Sequence, residues 1–64
     1  MKNAVRELRQ EQRWTQQELG TKVGTSRQAI IAIENGRFDP SLPLAIKLSR
    51  VLKKPIEDIF ILDD

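Results

Sequence analysis

Residues 15–36 read TQQELGTKVGTSRQAIIAIENG, and this stretch decides the fold of the chain. Thr15 is followed three residues later by Glu18, the pattern of a capping box, in which each side chain accepts a hydrogen bond from a free backbone N–H at a helix start. Trp14 precedes this cap and Leu19 follows it by four residues, which is the spacing of a hydrophobic staple. The pattern therefore predicts a short helix that begins at the start of the stretch.

The second half of the stretch predicts a tight turn and another short helix. Gly24 can adopt the left-handed conformation that ends a helix. Thr25 and Ser26 offer side-chain oxygens that can cap the next helix, which is expected to run to Asn35 and to stop at Gly36. Two short helices joined by a glycine turn form a helix-turn-helix, a motif whose second helix can enter the major groove of DNA.

Residues 23–37, VGTSRQAIIAIENGR, closely resemble the recognition segment of the XRE family, the Cro/CI-type phage and bacterial repressors. The resemblance extends from about Val5 to Phe60, which is most of the chain. It implies a compact all-α domain of five helices, of the lambda-repressor type, that covers residues 1–64 and binds double-stranded DNA. The chain departs from the family at Gly20, where members usually carry alanine, and glycine costs a helix about 1 kcal/mol relative to alanine.

The second motif helix carries side chains that are suited to reading bases. At about 100° per residue, its side opposite the apolar positions carries Arg27, Gln28, Ile31 and Ala32. Arginine suits the guanine edge, glutamine suits the adenine edge, and an isoleucine suits the methyl group of thymine. The family resemblance places base-reading positions at Arg27, Gln28 and Ala32, and an alanine can make apolar contacts only. The alternative is an ordinary polar helix face.

Four neighbouring polar residues are predicted to hold the DNA backbone: Gln16, Ser26, Asn35 and Arg37. Gln16 combines a side-chain amide with a free N–H at a helix start, an arrangement that binds anions. The other three flank the second motif helix and can contact phosphates without reading sequence. Ser26 and Asn35 can also be plain helix caps, and the two roles are compatible.

Glu34 carries a negative charge in the last turn of the second motif helix, where the helix dipole disfavours it. This placement predicts a cationic partner, and Arg9 in the first helix is the candidate. In the family that the chain resembles, the matching arginine and glutamate form such a pair. The alternative is two exposed charges that contribute little to stability.

The segments outside the motif are predicted to complete the core. The first helix is expected over residues 4–13 with Asn3 as its cap, and Phe38 is expected to pack against the core where the chain leaves the motif. A fourth helix, capped by Ser41, is expected at residues 42–53. These expectations rest on cap chemistry and on the spacing of apolar residues.

Pro55 is expected to begin a short fifth helix in which Ile56, Ile59 and Phe60 point inward. The sequence also allows a short terminal strand at residues 60–63.

The fourth helix has more apolar surface than one core-facing stripe needs, and a chain this short gains from association. We therefore expect a two-fold homodimer held by Ile59, Ile61, Leu62, Leu42 and Ile46. The alternative is that the C-terminal residues fold back on their own domain, as a strand against the N-terminus.

Composition limits the chemistry that the chain can perform. The 64 residues include neither cysteine nor histidine, so the usual zinc ligands and the commonest general base are missing, and no metal or cofactor is expected. No apolar run is long enough to span a membrane or to act as a signal peptide. Residues 1–37 carry seven Lys/Arg against four Asp/Glu, whereas residues 38–64 carry four against five. A basic half suits a face that contacts phosphate, and chance asymmetry is the alternative.

These observations favour a cytoplasmic, sequence-specific DNA-binding transcriptional regulator, namely a dimeric repressor that reads an inverted-repeat operator. The alternative is a protein-interaction module on the same fold, such as an antitoxin-like subunit or a coactivator with a separate protein partner. Arg27, Gln28 and Ile31 on the open face favour DNA. An enzyme is disfavoured, because Asp and Glu alone would have to carry the chemistry.

Overall fold

The computed structural model of the chain describes residues 1–62. Its helices are α1 (Val5–Glu11), α2 (Gln16–Val23), α3 (Arg27–Glu34), α4 (Leu42–Leu52) and α5 (Ile56–Ile59), and its two short strands are β1 (Lys2–Asn3) and β2 (Phe60–Ile61). The predicted five-helix fold is confirmed. The terminal strand that the sequence allowed at residues 60–63 is present as β2, which covers Phe60–Ile61. Residue 63 lies outside the described range.

The helix-turn-helix begins and ends where its local chemistry predicts. The Glu18 backbone N–H donates to Thr15 Oγ1 over 3.0 Å, and the Thr15 N–H donates to Glu18 Oε1 over 2.8 Å, so the capping box is complete. Gly24 ends α2 in the left-handed conformation, with a φ of 73°. Ser26 then caps α3 by accepting a hydrogen bond from the Ala29 N–H at 3.1 Å. The turn between the two helices is therefore fixed by residues within it.

The fourth and fifth helices also follow the sequence pattern. Ser41 Oγ accepts a hydrogen bond from the Leu44 N–H at 3.3 Å and caps α4. That helix ends one residue earlier than predicted, because Lys53 adopts a left-handed conformation with a φ of 59°. Pro55 precedes the single turn of α5. Within residues 1–62, no helix is long and apolar enough to cross a membrane.

The apolar sides of the helices pack together in one hydrophobic core. Its buried members are Val5, Leu19, Val23, Ile30, Ile33, Ala45, Leu48, Leu52, Ile59 and Phe60. Ile56 is partly buried against this cluster, so the three residues that were expected to point inward from the C-terminal part do so. The two members from α3, Ile30 and Ile33, have no exposed surface. One side of α3 is thus fixed to the core, and its other side faces outward.

The two ends of the described chain are joined by the antiparallel pair of β1 and β2. Lys2 lies opposite Ile61 and Asn3 lies opposite Phe60. Successive side chains of a strand point to opposite faces, so Phe60 enters the core while Ile61 stays 51% exposed. The strand against the N-terminus that the sequence left as an alternative is therefore present, although it does not bury Ile61.

The core prediction for Phe38 is wrong, and so is the assignment of Ile59 to a dimer interface. Phe38 was expected to pack inward, yet it is 46% exposed. Next to it in the sequence, Asp39 Oδ1 lies 3.9 Å from the amino group of Met1, and it is Met1 that packs against the core. Ile59 was expected to contact a second subunit, yet its side chain is fully buried in its own domain. It is therefore removed from the proposed dimer interface.

The start of the first helix also differs from the prediction. The capping position is Ala4 rather than Asn3, because Asn3 belongs to the strand pair. Asn3 Oδ1 still accepts a hydrogen bond from the Val5 N–H at 3.1 Å, while its Nδ2 donates to the Ile33 carbonyl at 2.8 Å. The helix ends at Glu11 rather than at residue 13. The single asparagine thus connects the N-terminal segment to the end of α3.

Gly20 is the point at which the turn lies directly against α2. A Cβ atom on Gly20 would lie 2.8 Å from the Thr25 carbonyl oxygen and 3.3 Å from that of Ser26. The Thr25 N–H also donates to the Gly20 carbonyl over 2.8 Å. Since backbone atoms cannot swing aside as a flexible side chain can, a larger residue would push α3 away from α2.

We predict that Gly20→Val lowers the free energy of unfolding by about 1–3 kcal/mol, the usual cost of overpacking. Urea unfolding followed by far-UV circular dichroism measures the change. Thr21→Val is the matched control: it puts the same side chain at the next, exposed position, and we expect it to stay within about 0.5 kcal/mol of wild type. Equal stabilities for the two variants would contradict the close contact.

Candidate nucleic-acid interface

The outward side of α3 carries the four residues that were predicted to read bases. Arg27 and Gln28 lie in its first turn, and both are exposed. Neither side chain forms a hydrogen bond or an ion pair with any other part of residues 1–62. Ile31 and Ala32 are half-buried on the same helix. The structure therefore brings all four together on one helix, with two long polar side chains free at its start.

The four residues that were predicted to contact phosphate surround α3. Ser26 caps its start, and Asn35 is its last capping residue, with Oδ1 accepting from Arg6 Nη2 at 2.8 Å. Gln16 lies at the start of α2 and donates through Nε2 to Glu34 Oε1 at 3.2 Å. Arg37 is exposed, and no side-chain partner for it is found among the described residues. Structural contacts and accessible surface therefore coexist in Ser26, Asn35 and Gln16, of which Gln16 is half-exposed.

Glu34 lies at the centre of a buried polar network. Arg9 Nε donates to Glu34 Oε2 at 2.7 Å, and Arg9 Nη2 donates to Oε1 at 3.2 Å, so the expected ion pair is formed and is bidentate. Arg9 Nη1 also donates to the Trp14 carbonyl at 2.8 Å. The Glu34 side chain has no exposed surface, and that of Arg9 is 11% exposed. The alternative of two exposed charges is therefore wrong.

The protonation of Glu34 depends on this network. Burial is the largest influence and raises the pKa of the carboxyl group, because it disfavours the charged form. Hydrogen bonds from Arg9, Gln16 and Arg6, together with the charge of Arg9, act in the opposite direction and hold the pKa below its ordinary value of 4.5. The carboxylate is therefore charged at neutral pH although it is buried.

Sequence reasoning missed the part that Arg6 plays in this network. Arg6 Nε lies 3.5 Å from Glu34 Oε1, and Arg6 also donates to Asn35. A signal was present: Arg6 precedes Arg9 by three residues, and residues three apart on a helix face the same way. The partner on α3 could not be read from that spacing.

The fold is that of a helix-turn-helix domain whose second helix, α3, exposes its first turn. A family model described as Helix-turn-helix matches residues 5–59. The whole chain is 52% identical to an uncharacterized HTH-type transcriptional regulator of Methanothermobacter thermautotrophicus, of which it covers 94%. Proteins given the same description in Methanocaldococcus jannaschii and Bacillus subtilis are 50% and 44% identical to it, and the chain covers 97% of each. The chain belongs to the XRE-type helix-turn-helix family, as the resemblance of residues 23–37 implied.

We predict that Arg9 and Glu34 are strongly coupled in folding. Glu34→Ala leaves the Arg9 guanidinium without its counter-charge, and Arg9→Ala leaves the buried carboxylate with only the half-exposed Arg6 as a cation, so each should lower the free energy of unfolding by about 3 kcal/mol. The double variant should lose less than the sum, with a coupling energy of about 0.5–3 kcal/mol in a double-mutant cycle measured by urea unfolding. Strict additivity would show that the pair does not act as a unit.

The same pair should make stability fall in acid. A carboxyl group whose pKa is lowered in the folded state stabilises the fold above its unfolded pKa, and this contribution is lost as the pH falls below about 4.5 and through the lower folded value. Glu34→Gln should therefore flatten the acid side of the stability profile. Glu57→Gln, which alters an exposed carboxylate on α5, is the control and should keep the wild-type slope. Identical slopes for Glu34→Gln and wild type would contradict this assignment.

Proposed function

We propose that the chain is a sequence-specific DNA-binding transcriptional regulator that reads the major groove with α3. The observation that carries the proposal is the first turn of this helix, where Arg27 and Gln28 are exposed and free of partners among residues 1–62. On the opposite side Ile30 and Ile33 are fully buried, so the helix that presents these side chains is rigidly held. Side chains held out in this way suit guanine and adenine edges. The similarity to regulators of the helix-turn-helix class supports the same function.

The remaining residues of the interface have distinct proposed roles. Ile31 and Ala32 contribute apolar contacts, for which the methyl group of thymine is the natural partner. Phosphates are contacted by Gln16, Ser26, Asn35 and Arg37, which fix the register of the protein without reading sequence. No ligand-binding domain is needed for the simplest mode of action, in which the protein represses transcription by occupying its operator.

Selection of bound duplexes from a random DNA pool tests this function. A sequence-specific regulator should enrich one motif, and a two-fold dimer should enrich it as an inverted repeat. The absence of any enrichment would refute sequence-specific binding and would favour the alternative of a protein-interaction module.

Arg27 and Arg37 are predicted to contribute to DNA binding in different ways. Arg27→Ala should cost about 1–3 kcal/mol on the selected duplex and relax the preference at one base position, with little effect on scrambled DNA. Arg37→Ala should weaken binding to both duplexes alike and lower the salt slope by about one. Fluorescence anisotropy titrations at several salt concentrations distinguish the two outcomes. If Arg27→Ala weakens both duplexes equally, the base-reading assignment is wrong.

We also propose a two-fold dimer that uses the C-terminal segment and α4. Leu62 is 74% exposed, Leu42 is 68% exposed and Ile61 is 51% exposed. Leu62 borders a shallow, mainly apolar pocket of about 310 Å³ whose wall includes Ala45 of α4, so the two segments lie side by side. Ile46, which is half-buried on α4, is a further contributor. A symmetric dimer would place its two recognition helices about 34 Å apart, which corresponds to half-sites roughly ten base pairs apart.

Sedimentation equilibrium tests the dimer with the variant Ile61→Asp/Leu62→Asp. The wild type should be dimeric at tens of micromolar, and the variant should be monomeric, because two buried carboxylates at the interface would lack partners. Gln10→Asp/Gln17→Asp adds the same charge at exposed positions of α1 and α2 and should leave the dimer intact. A monomeric wild type refutes the dimer, and a dimeric Ile61→Asp/Leu62→Asp variant refutes this interface.

A further inference from the structure

Arg6 is a charged side chain beside α3 that the proposed DNA contacts do not yet include. Its guanidinium group reaches from α1 to the end of α3, where Nη2 donates to Asn35 Oδ1 at 2.8 Å and Nε lies 3.5 Å from Glu34 Oε1. Its side chain is 47% exposed, whereas that of Arg9 is 11% exposed. Arg6 is therefore the arginine of this network that an external anion can reach.

The charge of Arg6 is not needed to balance Glu34. Arg9 already binds both carboxylate oxygens, and Gln16 donates a further hydrogen bond. Two guanidinium groups thus face one carboxylate, which leaves a surplus positive charge at the end of α3. Arg6 also has donors to spare, because a guanidinium carries five N–H groups and Nη1 makes no hydrogen bond within residues 1–62.

The contact with Arg6 also orients the side-chain amide of Asn35. An arginine can only donate, so the amide oxygen must face Arg6 and the amide nitrogen must point away from it. Asn35 is exposed, and its Nδ2 has no acceptor in the described part of the chain. A charged donor and a neutral donor are therefore held next to each other, and both are open to solvent.

We propose that Arg6 and Asn35 form one binding site for a phosphate of the DNA backbone. In this site Arg6 donates to the phosphate and also holds the Asn35 amide with its nitrogen outward, so it is a positioning residue as well as a contact. The site lies at the opposite end of α3 from Arg27 and Gln28, and the exposed Arg37 follows Asn35 by two residues. A phosphate suits this position because it accepts several hydrogen bonds and matches the surplus charge. The inference rests on the proposed DNA-binding function.

Binding titrations of a 30-base-pair duplex of scrambled sequence, at several salt concentrations, test the site. Arg6→Ala should weaken binding about tenfold and lower the salt slope by about one, since it removes one charged phosphate contact. Asn35→Ala should weaken binding about fivefold and leave the slope unchanged, because the amide is neutral. In the Arg6→Ala background, Asn35→Ala should cost less than about twofold, because the amide is no longer oriented. Additive losses would overturn the positioning role.

A conservative variant and a control complete the test. Arg6→Lys keeps the charge but loses the planar fork, so it should keep the wild-type salt slope. In the Arg6→Lys background, Asn35→Ala should weaken binding much less than it does in the wild type. This variant serves even if Arg6→Ala proves too unstable to bind. Arg50→Ala removes an equal charge from the exposed side of α4 and should leave the slope unchanged. If Arg50→Ala lowers the salt slope as much as Arg6→Ala does, the effect of Arg6→Ala comes from net charge alone and the proposed site is wrong.

The proposed function and this site can fail separately. A wild-type protein that binds neither the scrambled nor the selected duplex refutes both. A wild type that binds, with a lower salt slope for Arg37→Ala but no change for Arg6→Ala, refutes only the site.

Discussion

The buried carboxylate of Glu34 is the constraint on which the geometry of the motif depends. It lies at the end of α3, where the helix dipole is unfavourable, and its side chain has no exposed surface. It remains charged because Arg9 binds both of its oxygens and Gln16 adds a further donor. Since Arg9 belongs to α1 and Gln16 to α2, one carboxylate holds three helices in register. An unpaired charge in this position would be costly, so few other arrangements of these helices are accessible.

This network acts together with a close backbone approach at Gly20 and the apolar contacts of Ile30 and Ile33 to fix the position of α3. Gly20 allows the turn to lie against α2, Ile30 and Ile33 fix the middle of α3 in the core, and Glu34 fixes its end. The exposed side chains of the first turn take no part in any of these contacts. Changes in that turn can therefore alter the exposed chemistry of the helix without unfolding the domain, and under the proposed function this would let one scaffold serve different DNA sequences.

The sequence predicts those parts of the structure that depend on neighbours along the chain. The capping box, the glycine turn and the serine caps all involve residues at most a few positions apart. Arg9 and Glu34 are 25 residues apart, and their pairing was predicted from the wrong-sign charge of Glu34 together with the family resemblance. Phe38 was misplaced and Arg6 was missed, because each depends on contacts between distant segments. Pairing of the two chain ends brings Met1 to the core near Phe38, and no local pattern encodes that. The exposure of Arg27 and Gln28 was predictable from helical periodicity, whereas their lack of partners among residues 1–62 was not.

The surplus positive charge of Arg6, beside the Arg9–Glu34 pair, links folding to the proposed binding of DNA. Arg6 and Arg9 share one carboxylate, and their mutual repulsion is a cost that the free protein bears. A phosphate next to Arg6 would relieve this repulsion, so the bound state should be more stable than the free state for an electrostatic reason as well as by mass action. A ligand that binds only the folded form at a hundred times its Kd adds about 2.7 kcal/mol. For a 64-residue domain, whose own core is marginal, that is a large share of its stability. A charge arrangement that is unfavourable in isolation is therefore consistent with a protein that works on DNA.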